Sequence, residues 1–590
     1  MATVNVVVKH QGKKYEIEVD TTSTGEVFKY QLYSLTQVEP ERQKILVKGG
    51  QLKDDADMAK LGLKPGQVIM MMGTPGGDSS GTLVRPAEKV KFVEDMTEAE
   101  AAQQEGATPA GLENLGNTCY LNSTLQTLRA IPELQDALAT YDPAKVRTGF
   151  GDQIPQLDVT GQLKNLYTYM GETQSGFAPH AFLSALRVSF PQFAEKSKTG
   201  NGFAQQDAEE VWSQIISQLR QKLKLKREGS GSSSDDAQLS FVDRYMAGEF
   251  ESTLECDDKE ARDGGEEVKR EKEPFLKLNC HIDAQTNHLR DGILAGLSEQ
   301  IEKRSAVLDR DALFTKKSKI SRLPKYLTVH FVRFFWKREV QKKAKIMRKV
   351  TFPQELDVVE FCTDDLKKML IPVRDKVREI RKDEEDIERA RKRRKKNPLL
   401  DGDVGAADEP GSSGKKLENS SSSSSSKKKD EAADKDKAKG KKAGASAGDG
   451  DGDTEMTTEV YKTDAEVDAE KDAALLEAKK ELFALISPEL AADEGANQSG
   501  LYELRGVVTH QGASADSGHY TSYIKKTGAL DPATGKRKAE DGKWWWFNDD
   551  KVSEVTVDKV EALAGGGESH SALILLYRAI PLPSKEGVVE

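Results

Sequence analysis

The stretch GLENLGNTCYLNSTLQ, Gly111 to Gln126, decides how the rest of the chain is read. It holds three Asn, two Gly and one Cys just ahead of a helical pattern. Leu121, Leu125 and Leu128 fall on one side of that helix, and Pro132 is a stop signal. Asn117 and Thr118 are favourable N-cap types, which places Cys119 in the first turn. Unpaired amide N–H groups and the helix dipole at that point stabilise a thiolate and lower its pKa. The other reading is a buried Cys packed as a small apolar side chain. On this stretch alone the two readings balance, because a Cys at a helix start is a weak motif.

A thiolate enzyme also needs an imidazole, held in one tautomer by a third group. ADSGHYTSYIK sets Gly518 directly before His519, and Tyr520, Ser522 and Ile524 then alternate into a strand. A lone His is more often a surface or core residue. KWWWFNDDKVSEV supplies Asn548, Asp549 and Asp550 at the end of a very hydrophobic strand. Asn548 lies 29 residues after His519, so two antiparallel strands joined through GKRKAEDGK bring them together. Alternation puts Asn548 and Asp549 on opposite faces, so one of the two orients the ring.

The 590 residues carry a net charge of −10, which argues against nucleic acid as the main partner and permits a basic protein partner. Charged residues make up 32% and apolar ones 37%, polar enough to expect unstructured stretches. Four scattered cysteines (Cys119, Cys256, Cys280, Cys362) do not make a disulfide framework and point to a reducing compartment. No C-x2-C pair offers zinc ligands; Cys256 with Cys280-His281 comes nearest and lacks the spacing, so no metal is expected. No apolar run approaches the ~20 residues that cross a bilayer. The alternating N-terminus does not resemble a signal peptide, and the expected location is cytoplasmic and nuclear.

Residues 1–75 read as a compact unit. Thr3–Lys9 and Lys14–Val19 are strands around a Gly turn, and Val27, Leu32 and Leu35 follow at helical spacing. RQKILVKGGQLKDD gives a strand and turn, and GLKPGQVIMMMG a turn and last strand. This is a β-grasp order, and RQKILVKGGQLKDD resembles a ubiquitin-like domain. The resemblance puts Leu46 and Met72 where ubiquitin's apolar recognition patch has Ile and Val; the other reading is ordinary strand residues. Gly76-Gly77 follows MMGTP without the extended Arg/Leu tail of a cleavable precursor, so the unit is expected to stay attached. Residues 76–108 are a linker, in which KVKFVEDMTEAEAAQQ forms a short acidic helix.

Residues 109–582 read as an α+β domain. Ala208–Leu223 is a helix burying Val211, Ile215, Ile216 and Leu219, and Tyr326–Trp336 an aromatic strand. The domain is interrupted over 365–486 by charged helices around a low-complexity insertion at about 400–456, which includes Ser420 to Ser426 and cannot bury a core. The run Arg389 to Lys396 is either a nuclear localisation signal or a solvated helix end.

Four further segments complete a second resemblance. GNGFAQQDAEEVW, LPKYLTVHFVRFFW, RGVVTHQGASADSGHYTSYIK with WWWFNDDKVSEV, and ALILLYRA follow the Cys stretch in an order similar to the ubiquitin-specific proteases. These are papain-like deubiquitinases with fingers, palm and thumb. With the N-terminal domain, the chain is most similar to the proteasome-associated members. The resemblance implies Cys119 as nucleophile, His519 as general base and Asn548 as the group orienting it, with Asp549 the fallback. It implies Asn114 as an oxyanion-hole donor, Asp207 as a contact for the ubiquitin tail and Tyr520 as a residue flanking the cleft. Leu46 and Met72 become a patch for docking on the proteasome. Many members carry two C-x2-C pairs as a zinc ribbon; single Cys256 and Cys280 stand here, so no zinc or other cofactor is expected. The segments Phe334–Arg348 and Gln511–Ser517 correspond to loops that block the cleft before docking; Trp336 and the Lys/Arg-rich run after it suit a movable lid, and the other reading is a plain solvated hairpin turn. The implied function is hydrolysis at the ubiquitin C-terminus on conjugates at the proteasome regulatory particle (base), recycling ubiquitin. The alternative is a ubiquitin-binding, non-catalytic regulator of the proteasome.

Overall fold

The computed structural model describes residues 3–36, 38–47, 50–73, 96–102, 106–145, 155–197, 202–225, 239–337, 342–396, 464–515, 517–528, 540–567 and 569–584. The chain divides into two compact units, Met1–Glu94 and Asp95–Glu590.

The first unit is a five-stranded sheet on one helix. Strands β1 (Thr3–His10), β2 (Lys13–Asp20), β3 (Lys44–Val47), β4 (Gly50–Gln51) and β5 (Val68–Met72) lie in the order β2-β1-β5-β3-β4. The helix Gly25–Thr36 buries Phe28 and Leu32 against Val6, Val8, Ile17, Val19, Ile45, Ile69 and Met71. Its inward stripe is therefore shifted from the expected one. Val27 and Leu35 are about half exposed, because the i, i+4 pair Phe28 and Leu32 faces the sheet. Strict alternation in β5 turns Ile69 and Met71 inward and leaves Val68, Met70 and Met72 outside; Leu46 of β3 pairs with Met70.

The second unit is built on a ten-stranded sheet with path β18-β17-β16-β15-β19-β11-β8. It comprises β8 (Leu278–His281), β11 (Tyr326–Val332), β12 (Phe334–Lys337), β13 (Lys342–Lys345), β14 (Glu355–Asp357), β15 (Leu501–Ser514), β16 (Ser517–Lys525), β17 (Trp544–Asn548), β18 (Lys551–Val555) and β19 (Ser571–Ala579). A separate antiparallel sheet, β7-β6-β10-β9, is formed by β6 (Gly248–Cys256), β7 (Lys269–Phe275), β9 (Ser298–Arg304) and β10 (Asp311–Arg322). A helical layer that includes Cys119–Arg129, Pro132–Thr140, Val159–Glu172, His180–Ser189 and Ala208–Lys222 shares one core with β16 and β19. The helix Ala208–Lys222 buries Val211, Ile215, Ile216 and Leu219, as its spacing requires. The short helix Glu98–Ala102 belongs to this unit, where Glu98 accepts a hydrogen bond from the Thr173 hydroxyl.

Two local expectations are corrected. Tyr326–Trp336 is two strands, broken at Arg333. That side chain is buried and donates to the carbonyls of Ala572 (2.8 Å), Arg348 (2.8 Å), Ala564 (3.2 Å) and Ile346 (3.3 Å), so its residue must leave the strand direction. Pro132 does not merely stop a helix; it is the first residue of the next one, where its missing N–H is no loss.

Cys256, Cys280 and Cys362 are buried and reduced. Cys256 packs with Ala261, Ala312 and Phe314 in a small apolar core of the four-stranded sheet. No group of three or more His, Cys, Asp or Glu among the described residues could hold a metal ion. The charged helices Asp364–Lys396 and Asp464–Leu485 pair antiparallel through Lys376–Glu481, Lys479–Glu384 and Arg391–Asp472. Val373, Val377, Ile380 and Leu482 seat them on Leu501. Most of the linker (residues 76–95 and 103–105), and the insertion with Ser420 to Ser426, lie outside the described residues.

Candidate active site

Cys119 opens the helix Cys119–Arg129, and the loop before it is held by side chains. Asn114 Oδ1 accepts from the backbone N–H of Gly116 and of Thr118, both at 3.1 Å. Gly116 and Asn117 both take left-handed φ, 88° and 58°. Asn117 serves this turn, and its amide donates to the Phe203 carbonyl at 2.9 Å. Thr118 occupies the N-cap position but makes no side-chain cap; its hydroxyl accepts from Leu115 N–H at 2.9 Å.

The helix start does not activate the thiol as expected. Cys119 is 2% exposed, and burial pushes its pKa up to about 11. The Asp549 carboxylate adds to the rise, while hydrogen bonds from the Tyr520 and Tyr120 backbone N–H groups oppose it. Desolvation of a thiolate outweighs a few amide dipoles here.

His519 comes from the neighbouring strand β16. Gly518 before it has φ +127°, and a Cβ there would run into the Gln511 carbonyl and lie 2.8 Å from His510 Nε2. Only glycine lets β15 and β16 approach this closely. His519 Nε2 stands 2.6 Å from Asn548 Oδ1, at the end of β17. A carbonyl oxygen can only accept, so Nε2 carries the proton and Nδ1 is left as the basic nitrogen.

The expected choice between Asn548 and Asp549 is not a choice. The strand ends at Asn548, and Asp549 turns left-handed with φ 54°, so alternation fails and both side chains face the same place. Asp549 Oδ2 lies 4.0 Å from His519 Nε2. Its two oxygens accept from Asn122 Nδ2 (2.8 Å) and Asn114 Nδ2 (3.1 Å). An amide nitrogen carries two hydrogens, so Asn114 keeps one N–H for another acceptor. Gly111 and Gly176 explain how the turn is seated. A Cβ on either would press on Asp550, and Leu112 N–H donates to the Asp549 carbonyl at 3.0 Å.

The remaining sequence candidates fall around this centre. Asp207 caps the helix Ala208–Lys222, accepting from Glu209 N–H at 3.0 Å. The Tyr520 side chain is fully buried with its ring 4.6 Å from that of His510, and its backbone N–H rather than its ring reaches the sulfur. Leu46 and Met72 are exposed in the first unit.

In the segment Phe334–Arg348, β12 pairs antiparallel with β13, as in the hairpin reading. Ala344 pairs with Ser514, and buried Lys345 donates from Nζ to the His510 carbonyl at 2.6 Å. Burial lowers the Lys345 pKa to about 8. Phe335 and Trp336 are exposed on this hairpin. The Gln511–Ser517 turn reaches the segment before the helix Ala208–Lys222, where Gln205 Nε2 donates to the Ala515 carbonyl at 3.4 Å. The sequence reading missed Asn122, Lys345, Arg333 and His570, whose ring stands 6.3 Å from that of His519. Only Asn122 left a signal: it sits three residues after Cys119, on the same helix face.

A buried thiol at a helix start, set against a sheet strand carrying an amide-oriented imidazole, defines a papain-like thiol hydrolase. Residues 110–577 match the model of the ubiquitin carboxyl-terminal hydrolase family, and residues 4–76 that of the ubiquitin family. The chain is 41% identical to ubiquitin carboxyl-terminal hydrolase 6 of Schizosaccharomyces pombe, over 98% of its own length and 99% of that protein's. It is 37% identical to ubiquitin carboxyl-terminal hydrolase 7 of Arabidopsis thaliana, over 98% and 99% of the two chains. It is 31% identical to ubiquitin carboxyl-terminal hydrolase 14 of Caenorhabditis elegans, over 97% and 93%. The chain belongs to the ubiquitin carboxyl-terminal hydrolases, the thiol-dependent ubiquitinyl hydrolases, and carries an N-terminal ubiquitin-like domain.

Proposed function

We propose that the chain cleaves isopeptide and peptide bonds at the ubiquitin C-terminus, with Cys119 as nucleophile. The observation that carries this reading is the 2.6 Å bond from His519 Nε2 to Asn548 Oδ1, beside the hydrogen bond to the Cys119 sulfur from the backbone N–H of Tyr520, the residue after His519. His519 Nδ1 takes the thiol proton as sulfur attacks the carbonyl carbon. The oxyanion is met by the Cys119 backbone N–H and the second N–H of Asn114, each interaction of a kind worth about 3–4 kcal/mol. Asn548 orients the imidazole but has no charge; the Asp549 carboxylate, 4.0 Å away, faces the imidazolium that forms. His519 returns the proton to the departing amine, and water then attacks the thioester with His519 again as base. Asp207, the N-cap of the helix Ala208–Lys222, is assigned to the two arginines of a ubiquitin tail, which call for a carboxylate. In the full chain, Cys119→Ala should abolish hydrolysis of a ubiquitin C-terminal fluorogenic amide; turnover in that variant refutes the assignment.

The finer reading is a proteasome-bound enzyme of cytoplasm and nucleus that recycles ubiquitin. The exposed row Leu46, Val68, Met70 and Met72 supports docking on the regulatory-particle base by the first unit. The Gln205–Ala515 bond and the Lys345 anchor support a cleft held shut until docking. Removing residues 1–75 should abolish co-purification with proteasomes; undiminished recovery sinks the docking step. The burial of Cys119 and the contacts that hold the β12–β13 hairpin also favour a second reading, a ubiquitin-binding regulator that needs no turnover. That reading gains if Cys119→Ala alters proteasome activity as the intact chain does.

A further inference from the structure

Asn122 lies one turn into the Cys119 helix and is 2% exposed. Its amide nitrogen meets three oxygens: Asp549 Oδ1 at 2.8 Å, the Leu112 carbonyl at 3.1 Å and the Glu113 carbonyl at 3.2 Å. Its own Oδ1 is buried and finds no hydrogen-bond partner among the described residues. This asymmetry fixes which way the amide faces. A buried oxygen without a partner is destabilising, so the site is poorly explained by packing alone. What the amide does is pin one oxygen of Asp549, while the other oxygen holds Asn114 and faces His519.

We propose that Asn122 is a positioning residue for hydrolysis, one that fastens the Asp549 carboxylate to the Leu112–Glu113 segment. It thereby sets both the direction of the second Asn114 N–H and the place of the negative charge beside His519. Asn122 acts through Asp549 and does not touch the reacting atoms. This role rests on the hydrolytic reading of the site.

The test replaces Asn122 without changing its size. Asn122→Asp puts a second carboxyl group at hydrogen-bond distance from Asp549, and two such groups share one proton. While they hold it, an O–H stands in for the amide N–H. When it leaves, attraction becomes repulsion. The ionisable groups facing the pair are His519 from β16 and the Cys119 thiol from the same helix, with Asp550 next in the chain. On the ubiquitin amide, kcat of Asn122→Asp at pH 8 should fall about ten- to a hundredfold, with KM within about twofold, the size expected of a small misplacement of catalytic groups. The ratio of variant to wild-type kcat should then climb as pH falls from about 8 to about 6. The swap Asn122→Asp with Asp549→Asn rebuilds an amide–carboxylate bond with the charge moved away from His519. Its ratio should be flat with pH, and its kcat still below wild type. Melting temperature, and ubiquitin affinity in a Cys119→Ala background, should stay near wild type for both. The proposal is overturned if folded Asn122→Asp turns over at the wild-type rate at pH 8. It is equally overturned by a loss that does not vary with pH, or, should the single variant fail to fold, by a swap variant with wild-type kcat. A wild-type chain that does not turn over the substrate refutes the hydrolytic reading, and this role with it.

Discussion

At the scale of single residues, the centre places one charge and several neutral amides around an imidazole. Asn548 fixes the His519 tautomer and Asp549 brings the charge. Asp549→Asn keeps the shape but removes that charge, and should lower kcat about ten- to a hundredfold, or about 1.4–2.8 kcal/mol of transition-state stabilisation, with KM little changed. An unchanged kcat would leave the charge without a role. His510 gives a pH signature of stability. Burial and the neighbouring Lys345 depress its pKa to about 3. The folded state therefore binds fewer protons than the unfolded one, and stability is lost as pH falls below the ordinary histidine value of about 6.5 toward about 3. Between about pH 6.5 and 5 the loss from this residue is about 2 kcal/mol, measurable by urea unfolding. His510→Leu should flatten that slope; an unchanged slope contradicts the assignment. Cys119 and His519 stood out in the sequence only through the order of the segments around them, because a Cys at a helix start and a Gly-His at a strand start are each weak local patterns. The raised thiol pKa could not be read there, because it depends on how many layers of protein close over the helix.

At the scale of elements, the β12–β13 hairpin is fastened to strand β15. β13 pairs with β15 at Ala344 and Ser514, and Lys345 bonds the His510 carbonyl from a buried position. Lys345→Ala removes the anchor. If the hairpins hold the cleft shut, that variant should hydrolyse the ubiquitin amide several-fold faster than wild type without proteasome; equal or slower turnover would assign the hairpins no gating role. The element types were legible where hydrophobic period was strong, as in the helix Ala208–Lys222 and strand β5. They were not where a long-range contact overrides it. Arg333 interrupts an aromatic run because carbonyls of Ala572 and Ala564, over 200 residues away, need its guanidinium. Asp549 breaks a strand's alternation because two asparagines of the Cys segment hold its carboxylate. Neither partner is marked in the local sequence.

At the scale of the whole molecule, a catalytic sheet is interrupted in sequence but continuous in space. The helices Asp364–Lys396 and Asp464–Leu485 run antiparallel, and Arg391 pairs with Asp472, so the chain departs and returns at one place. Replacing residues 397–463 by a short Gly/Ser linker should leave melting temperature within about 2 °C and hydrolysis unchanged. A large loss of either would give that segment a structural role. Composition sets this excursion apart, since a serine run and alternating Lys and Asp cannot bury a core, and it lies outside the described residues. The most direct measurement concerns the thiol itself. The full chain is treated with ubiquitin bearing a C-terminal electrophile, and its cysteines are mapped by mass spectrometry. The predicted result is an adduct on Cys119 alone, absent in Cys119→Ala. An adduct on Cys256, Cys280 or Cys362, or labelling that survives Cys119→Ala, would contradict it.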